Sequence, residues 1–179
     1  MRYVTIFHLI SSIFKKANVS GVLIGGFAVN YYKVTRQTVD VDFLINERGF
    51  EGVKTLLERQ GYKVDFAQKV FTRFKSSSNN YLMDIDFMFV DKDTLSKIIE
   101  SGKKITIAKQ EFIVPSLNNL IALKLHSLKY NYKLRENKDL PDIIELIRNN
   151  KLNYNSKKFK DLCLKYGTKG IYNKILSRL

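Results

Sequence analysis

Residues 38–45 read Thr-Val-Asp-Val-Asp-Phe-Leu-Ile. A stretch so dense in β-branched and apolar residues is a strand. Successive side chains of a strand point to opposite faces. Asp40 and Asp42 therefore share one face, while Val39, Val41 and Phe43 share the other and aim at a core. Asp is depleted in strands, and two carboxylates two residues apart repel one another. A chain that keeps both needs a cation to offset them, and Mg²⁺ prefers carboxylate oxygen.

The flanking sequence supplies more of one pattern. Val22 to Ile24 form a short buried strand, Gly25 and Gly26 follow at once, and Phe27 to Tyr32 have the apolar density of a short helix. Paired glycines at a helix start let backbone N–H groups approach phosphate oxygens, although a bare pair is also an ordinary tight turn. Downstream, Tyr81 to Val90 (YLMDIDFMFV) reads as another strand, with Asp84 and Asp86 on one face and Met83, Ile85 and Phe87 on the other. The third carboxylate is Asp84 or Asp86. Asp86 is preferred because it lies deeper in the apolar run. Three carboxylates on two adjacent strands suit two divalent ions, Mg²⁺ or Mn²⁺, that assist attack by a hydroxyl and departure of a pyrophosphate. Asp86 also suits a general base toward that hydroxyl.

The remaining elements follow in order. Helical spacing predicts helices over 3–17 and 50–60, the latter closed by Gly61. Residues 62–66 and 69–75 form a hairpin, and Ser76 to Asn80 a polar loop. A helix is expected at 93–101, and strands at 105–108 and 111–114 around a turn at Lys109–Gln110. Ser116 caps the helix that carries Lys124. A further helix is expected over 139–149, with Asp139 as N-cap and Pro141 in its first turn. Two basic helices, 156–165 and 168–178, finish the chain. The fold class is α+β: a mixed sheet flanked by helices over 1–115, then a helical bundle over 116–179.

Charge is uneven. The chain carries 31 Lys/Arg against 17 Asp/Glu, a net charge of +14. Residues 97–179 hold 18 of the bases and 7 of the acids, which is +11. Such a half attracts a polyanion, although a Lys- and Asn-rich composition can also reflect base composition of the genome. The run Lys157, Lys158, Lys160, Lys165 and Lys169 is either an RNA-facing surface or a solvated helix face. Cys163 is the single cysteine, so no internal disulfide forms and a cytoplasmic location is the default. No run of 18 apolar residues suits a membrane span. His8 and His126 lie too far apart in sequence to suggest zinc.

Taken together, Gly25-Gly26, Arg36-x-Thr38-x-Asp40-x-Asp42, the later Asp86, Lys124 and the Lys138-Asp139 pair resemble the nucleotidyltransferase superfamily of DNA polymerase beta type. Within it the likeness is to the abortive-infection (AbiEii-like) nucleotidyltransferase toxins. The resemblance spans roughly residues 20–148. It implies a nucleotidyltransferase fold with a C-terminal helical region closing over the nucleotide. It implies transfer of a nucleoside monophosphate from an NTP to an acceptor hydroxyl. By carry-over, Gly25 and Gly26 cradle the triphosphate, and Asp40, Asp42 and Asp86 bind metal. Lys124 meets the β- and γ-phosphates, and Asp139 lies near the nucleotide or orients Lys124. Arg36 and Thr38 belong either to the site or to the scaffold.

Three functions follow. The leading expectation is a Mg²⁺-dependent enzyme whose acceptor is RNA, such as a tRNA end, or protein, as a toxin restrained by a cognate antitoxin. A non-catalytic nucleotide- or RNA-binding module is the second. A small-molecule (antibiotic) nucleotidyltransferase is the third, disfavoured because a cationic acceptor suits an acidic cleft and the second half is basic.

Overall fold

A computed structural model of the chain describes residues 5–76 and 83–179. Helix α1 (Ile6–Ala17) starts where the Thr5 hydroxyl accepts the backbone N–H of His8 and ends at Asn18, whose left-handed backbone (φ 51°) returns its N–H to Lys15. Leu9, Ile10 and Ile13 form its fully buried stripe, each stabilising by about 2 kcal/mol on removal from water. Residues 3 and 4 of the expected helix, and the expected loop and strand start at 77–82, lie outside the described residues.

Among the described residues seven strands form one mixed sheet: β1 (Gly21–Leu23), β2 (Asp40–Asn46), β3 (Tyr62–Gln68), β4 (Phe71–Ser76), β5 (Asp84–Val90), β6 (Lys103–Ile107) and β7 (Gln110–Val114). Their order is β3-β4-β5-β2-β1-β7-β6. Strand β2 runs parallel to β5, with Asp40 opposite Asp84 and Asp42 opposite Asp86. It runs antiparallel to β1. Strand β4 is antiparallel to β5, and β3 to β4. Helices α3 (Phe50–Glu58) and α4 (Lys92–Glu100) complete this part.

The face of β2 and β5 opposite the acids is a core of aromatic rings, one pair stacked and the others edge to face. Phe43 lies 6.2 Å from Phe87 and 5.1 Å from Phe14, and Phe87 lies 5.9 Å from Phe74. Val41, Phe43, Ile85 and Phe87 are fully buried, as the alternation required. Val39 differs: it is 82 % exposed, because ladder pairing begins only at Asp40. Leu44 is fully buried on the acid-bearing face, in a strand flanked by neighbours on both edges. The β6–β7 turn falls one residue earlier than expected, at Ala108 and Lys109 (φ 49° and 60°). Two consecutive positive φ values give a two-residue turn whose twist matches the flanking strands.

The chain divides into two compact units. One holds residues 1–27 and 37–115, with the whole sheet; the other holds 28–36 and 116–179. In the second unit α5 (Leu117–Asn149) is capped by Ser116 and interrupted at Asn131 (φ −134°). Along a straight helix, Lys124 and Asp139 would stand about 22 Å apart. They are bonded at 3.0 Å, so the chain doubles back at Asn131 into an antiparallel helical pair. Asp139 is therefore no N-cap, and Pro141 lies inside the returning helix, not in a first turn. Buried Leu140, Ile143 and Ile144 hold that helix through the proline. Helices α6 (Lys157–Tyr166) and α7 (Lys169–Leu176) pack on α5 and on each other. The segment 28–36, which holds the end of helix α2 (Gly25–Tyr31), is tied to the same unit. Asn149 and Asn150 donate side-chain hydrogen bonds to the carbonyls of Lys33 and Tyr32. Asn30 grips both the N–H and the carbonyl of Arg36.

Candidate active site

Adjacent parallel strands in register place Asp42 beside Asp86. With Asp40 two residues earlier on the same face, the three carboxylates offer oxygens within 4.8 Å of one another. Asp84 stands opposite Asp40 and is outside that group. At this separation each pair repels by about 3 kcal/mol with an effective dielectric constant of ~20. Carboxylate oxygens alone, converging this closely, fit a hard divalent cation such as Mg²⁺.

Two glycines make the arrangement sterically feasible. A Cβ on Gly25 would lie 1.8 Å from Oδ2 of Asp42, and the backbone there has φ +61°. A Cβ on Gly26 would lie 2.6 Å from the Cβ of Thr38. Thr38 in turn donates its hydroxyl to Oδ1 of Asp40 at 2.9 Å and to the Asp40 carbonyl at 3.1 Å. The glycine pair thus seats Asp42 and Thr38, and Thr38 orients Asp40. The structure brings Gly25, Gly26, Thr38, Asp40, Asp42 and Asp86 together within the first unit.

Arg73 joins them, and the sequence reading had missed it. On β4 it is the register partner of Asp86 and forms a forked pair, Nε to Oδ1 at 2.8 Å and Nη2 to Oδ2 at 2.6 Å. Asp86 is only 3 % exposed, so this pair supplies the partner that a buried carboxylate requires. The bond to Asp86 raises the Arg73 pKa, outweighing partial burial, with the charges of Asp86, Asp40 and Asp84 adding to it. The alternation of buried Thr72 and Phe74 about Arg73 was the available signal.

Arg36, Lys124 and Asp139 gather separately, within the second unit. Lys124 is buried and donates to Oδ1 of Asp139 at 3.0 Å and to Oδ2 of Asp142 at 2.6 Å. Arg36 also pairs with Asp142, and Arg135 with Asp139. Burial pushes the Asp139 carboxyl up, but Lys124 and Arg135 outweigh it and hold it below its ordinary value of 3.8. Asp142 was not foreseen as the hub.

A cavity of about 340 Å³ opens elsewhere, beside Ser11, Lys15, Gly21, Lys104 and Glu111. It lies at the opposite end of β1 from Gly25 and includes none of the residues above. Among the described residues no helix is long and apolar enough to cross a membrane.

A family model described as aminoglycoside-2''-adenylyltransferase matches residues 6–115. Among solved structures, the antibiotic-resistance factor ANT(2'')-Ia in solution is 15 % identical, with 97 % of this chain and 94 % of that chain covered and a TM-score of 0.66. The same factor in complex with adenylyl-2''-tobramycin is 15 % identical over 96 % and 95 %, with a TM-score of 0.55. The lincosamide antibiotic adenylyltransferase LnuA, lincomycin-bound, is 21 % identical over 79 % and 94 %, with a TM-score of 0.53. At these identities the likeness is one of fold. No curated protein sequence matches the chain.

Proposed function

The chain belongs to the aminoglycoside-2''-adenylyltransferase family and is a nucleotidyltransferase, and on that premise we propose that it moves AMP from ATP to a hydroxyl of a small antibiotic. The observation that carries this reading is the convergence of Asp40, Asp42 and Asp86 beside Gly25-Gly26 on the matched segment.

In this reading the acceptor oxygen bonds to the α-phosphorus of ATP, the bond from that phosphorus to the bridging oxygen breaks, and pyrophosphate leaves. The hydroxyl proton passes to Asp86, which Arg73 holds in a fixed orientation. Asp40 and Asp42, steadied by Thr38, would hold divalent metal together with Asp86. When bound, that metal supplies charge neutralisation at the triphosphate and lowers the pKa of the attacking hydroxyl. Gly25 and Gly26 leave the backbone open to phosphate. Arg36, Lys124 and Asp139 remain assigned to nucleotide binding on the strength of the superfamily resemblance.

An antibiotic acceptor replaces the macromolecular acceptor as the preferred reading. The +11 was counted over a half of the chain without regard to where the chemistry sits. The unit that holds the carboxylates has 15 Lys/Arg and 12 Asp/Glu, only +3. Its acid-bearing face adds Asp84 to the triad, which suits a cation or a neutral glycoside better than a phosphodiester. The matching family model and the structures named above are antibiotic adenylyltransferases, which favours the antibiotic acceptor and leaves the toxin reading as the second choice.

A transfer assay tests the proposal. Purified protein, Mg²⁺ and each labelled NTP are incubated with tobramycin, with lincomycin or with total tRNA, beside the Asp40→Ala/Asp42→Ala variant. Label on an antibiotic, absent with the variant, is the expected result. Label on tRNA alone would restore the macromolecular acceptor.

A further inference from the structure

The register runs through four strands in one line. Asp42 faces Asp86, Asp86 faces Arg73, and Arg73 faces Phe66 on the edge strand β3. Directly paired residues on neighbouring strands share a face. A register shift between Val64 and Phe66 puts Phe66 opposite Arg73. Strands are spaced about 4.8 Å apart, so Phe66 stands roughly 10 Å from Asp86 across the sheet. That is within the reach of one drug-sized molecule.

Phe66 is 49 % exposed, although phenylalanine is among the residue types most often fully buried. Its ring lies 6.2 Å from that of Phe71, two residues from Arg73 on the same strand and face. The Arg73 guanidinium sits 5.8 Å from the Phe71 ring centre while both its forks hold Asp86. Two rings, a fixed cation and the carboxylates therefore form one continuous surface. An edge strand is ordinarily kept polar to prevent pairing with other chains. Apolar rings retained there, in line with the acids, point to a ligand that covers them.

We propose that Phe66 and Phe71 are the acceptor platform of the site, receiving the uncharged face of a small hydroxylated ligand whose hydroxyl is presented to Asp86. This rests on the nucleotidyltransferase reading above. The ligand class follows from the line of residues. The cation nearest the rings belongs to the protein, so a ligand amine gains from the carboxylates and not from the rings, which take an uncharged face. On this face Asp40, Asp42, Asp84 and Asp86 stand against Arg73, Lys63 and Lys75, and Lys75 is itself bonded to Asp65, so the acids outnumber the bases and a polyanion is disfavoured. A glycoside with an apolar substituent or an exposed sugar-ring face stacks on the rings while its hydroxyl reaches the acids.

The chain has no tryptophan, so Phe66→Trp installs a single tryptophan in the platform, excited selectively at wavelengths beyond tyrosine absorption. Its emission is titrated with the two antibiotics of the transfer assay and with total tRNA, in the presence of Mg²⁺ and a non-hydrolysable ATP analogue. Phe66→Ala and Phe71→Ala are compared with wild type for acceptor affinity by ligand-observed NMR, and for ATP-analogue affinity by calorimetry. Phe66→Ala retains the wild-type thermal midpoint within about 2 °C, because the ring is half solvated. The expected result is an emission change with a small glycoside, a loss of acceptor affinity of tenfold or more in each alanine variant, and ATP-analogue affinity unchanged within twofold. Silence of the tryptophan emission toward every acceptor, or acceptor affinity unchanged in both alanine variants, overturns the platform. Tighter binding of tRNA than of either antibiotic also overturns it and makes the rings a base-stacking surface. A small acceptor that binds in a Phe66-dependent way but receives no label upholds the platform and removes the transfer reaction.

Discussion

Gly25 and Asp42 occupy adjoining space so closely that any β-carbon on the glycine would lie 1.8 Å from the carboxylate oxygen Oδ2. The glycine is thus part of the acidic site by exclusion. Gly25→Ala must also adopt φ +61°, which costs an alanine about 1–2 kcal/mol before any clash. The expected outcome is a loss of transfer activity of a hundredfold or more, with Mn²⁺ binding weakened when followed by electron paramagnetic resonance. Gly26→Ala, which meets the Thr38 side chain at 2.6 Å, displaces the residue that orients Asp40. It is expected to weaken activity less, because the residue displaced is Thr38, which orients Asp40, and not one of the three carboxylates themselves. Equal activity in wild type and Gly25→Ala would contradict the arrangement.

Arg73 and the metal are expected to compete for credit in holding the acids together. Arg73→Gln leaves Asp86, at 3 % exposure, without its ionic partner. Breaking such a pair costs about 2 kcal/mol here, less than a fully buried pair because the Arg73 side chain is itself 39 % exposed. Mg²⁺ replaces the missing charge. The thermal midpoint of Arg73→Gln should therefore fall by several degrees without Mg²⁺ and recover on its addition by more than wild type gains. A midpoint that responds to Mg²⁺ equally in both proteins would show that the arginine does not share the charge balance of the site.

Cys163 offers a probe of the second unit. It is fully buried, and burial pushes its thiol up to about 12. The thiolate is the reactive form. Native protein at pH 8 should therefore resist a thiol reagent and become labelled only as urea unfolds it. Labelling of the native protein at the rate of the denatured chain would contradict this burial.

What the sequence disclosed depended on whether a feature is local. Asp40 and Asp42 share a face because strand periodicity is 2, which two letters of sequence reveal. Asp86 needed the register of β5 on β2 before it could be separated from Asp84, and only the three-dimensional pairing supplies that. Arg73 required a further register, that of β4 on β5, and so it escaped. Val39 looked like a core residue from its alternation, yet the ladder starts one residue later and leaves it in solvent. Pro141 misled in the other direction. A proline was read as a helix boundary, but buried neighbours hold it inside a helix and the reversal falls at Asn131, ten residues earlier. Asp142 carried no local mark, because its partners Lys124 and Arg36 come from distant positions.

The pairing of Asp139 with Lys124 and Arg135 makes the second unit sensitive to acid. Burial raises the Asp139 pKa and the two cations lower it further than burial raises it, so the net folded value lies below the ordinary 3.8. A carboxyl whose pKa is lowered by folding contributes stability that is present in full above the unfolded value. That stability is lost as pH falls through the folded value. The contribution of Asp139 should thus be intact at pH 6 and shrink below about pH 4. Asp139→Asn removes the charge at every pH and leaves Lys124 and Arg135 facing one another with Asp142 as the remaining carboxylate of the cluster. A cost of about 3 kcal/mol is expected at neutral pH, as for a broken buried pair. Urea unfolding of both proteins at pH 7, 5, 4 and 3 checks this. The gap between wild type and Asp139→Asn should hold from pH 7 to 5 and narrow from 4 to 3. A gap that stays constant across the series would mean that the carboxylate charge is not what holds Lys124 in place.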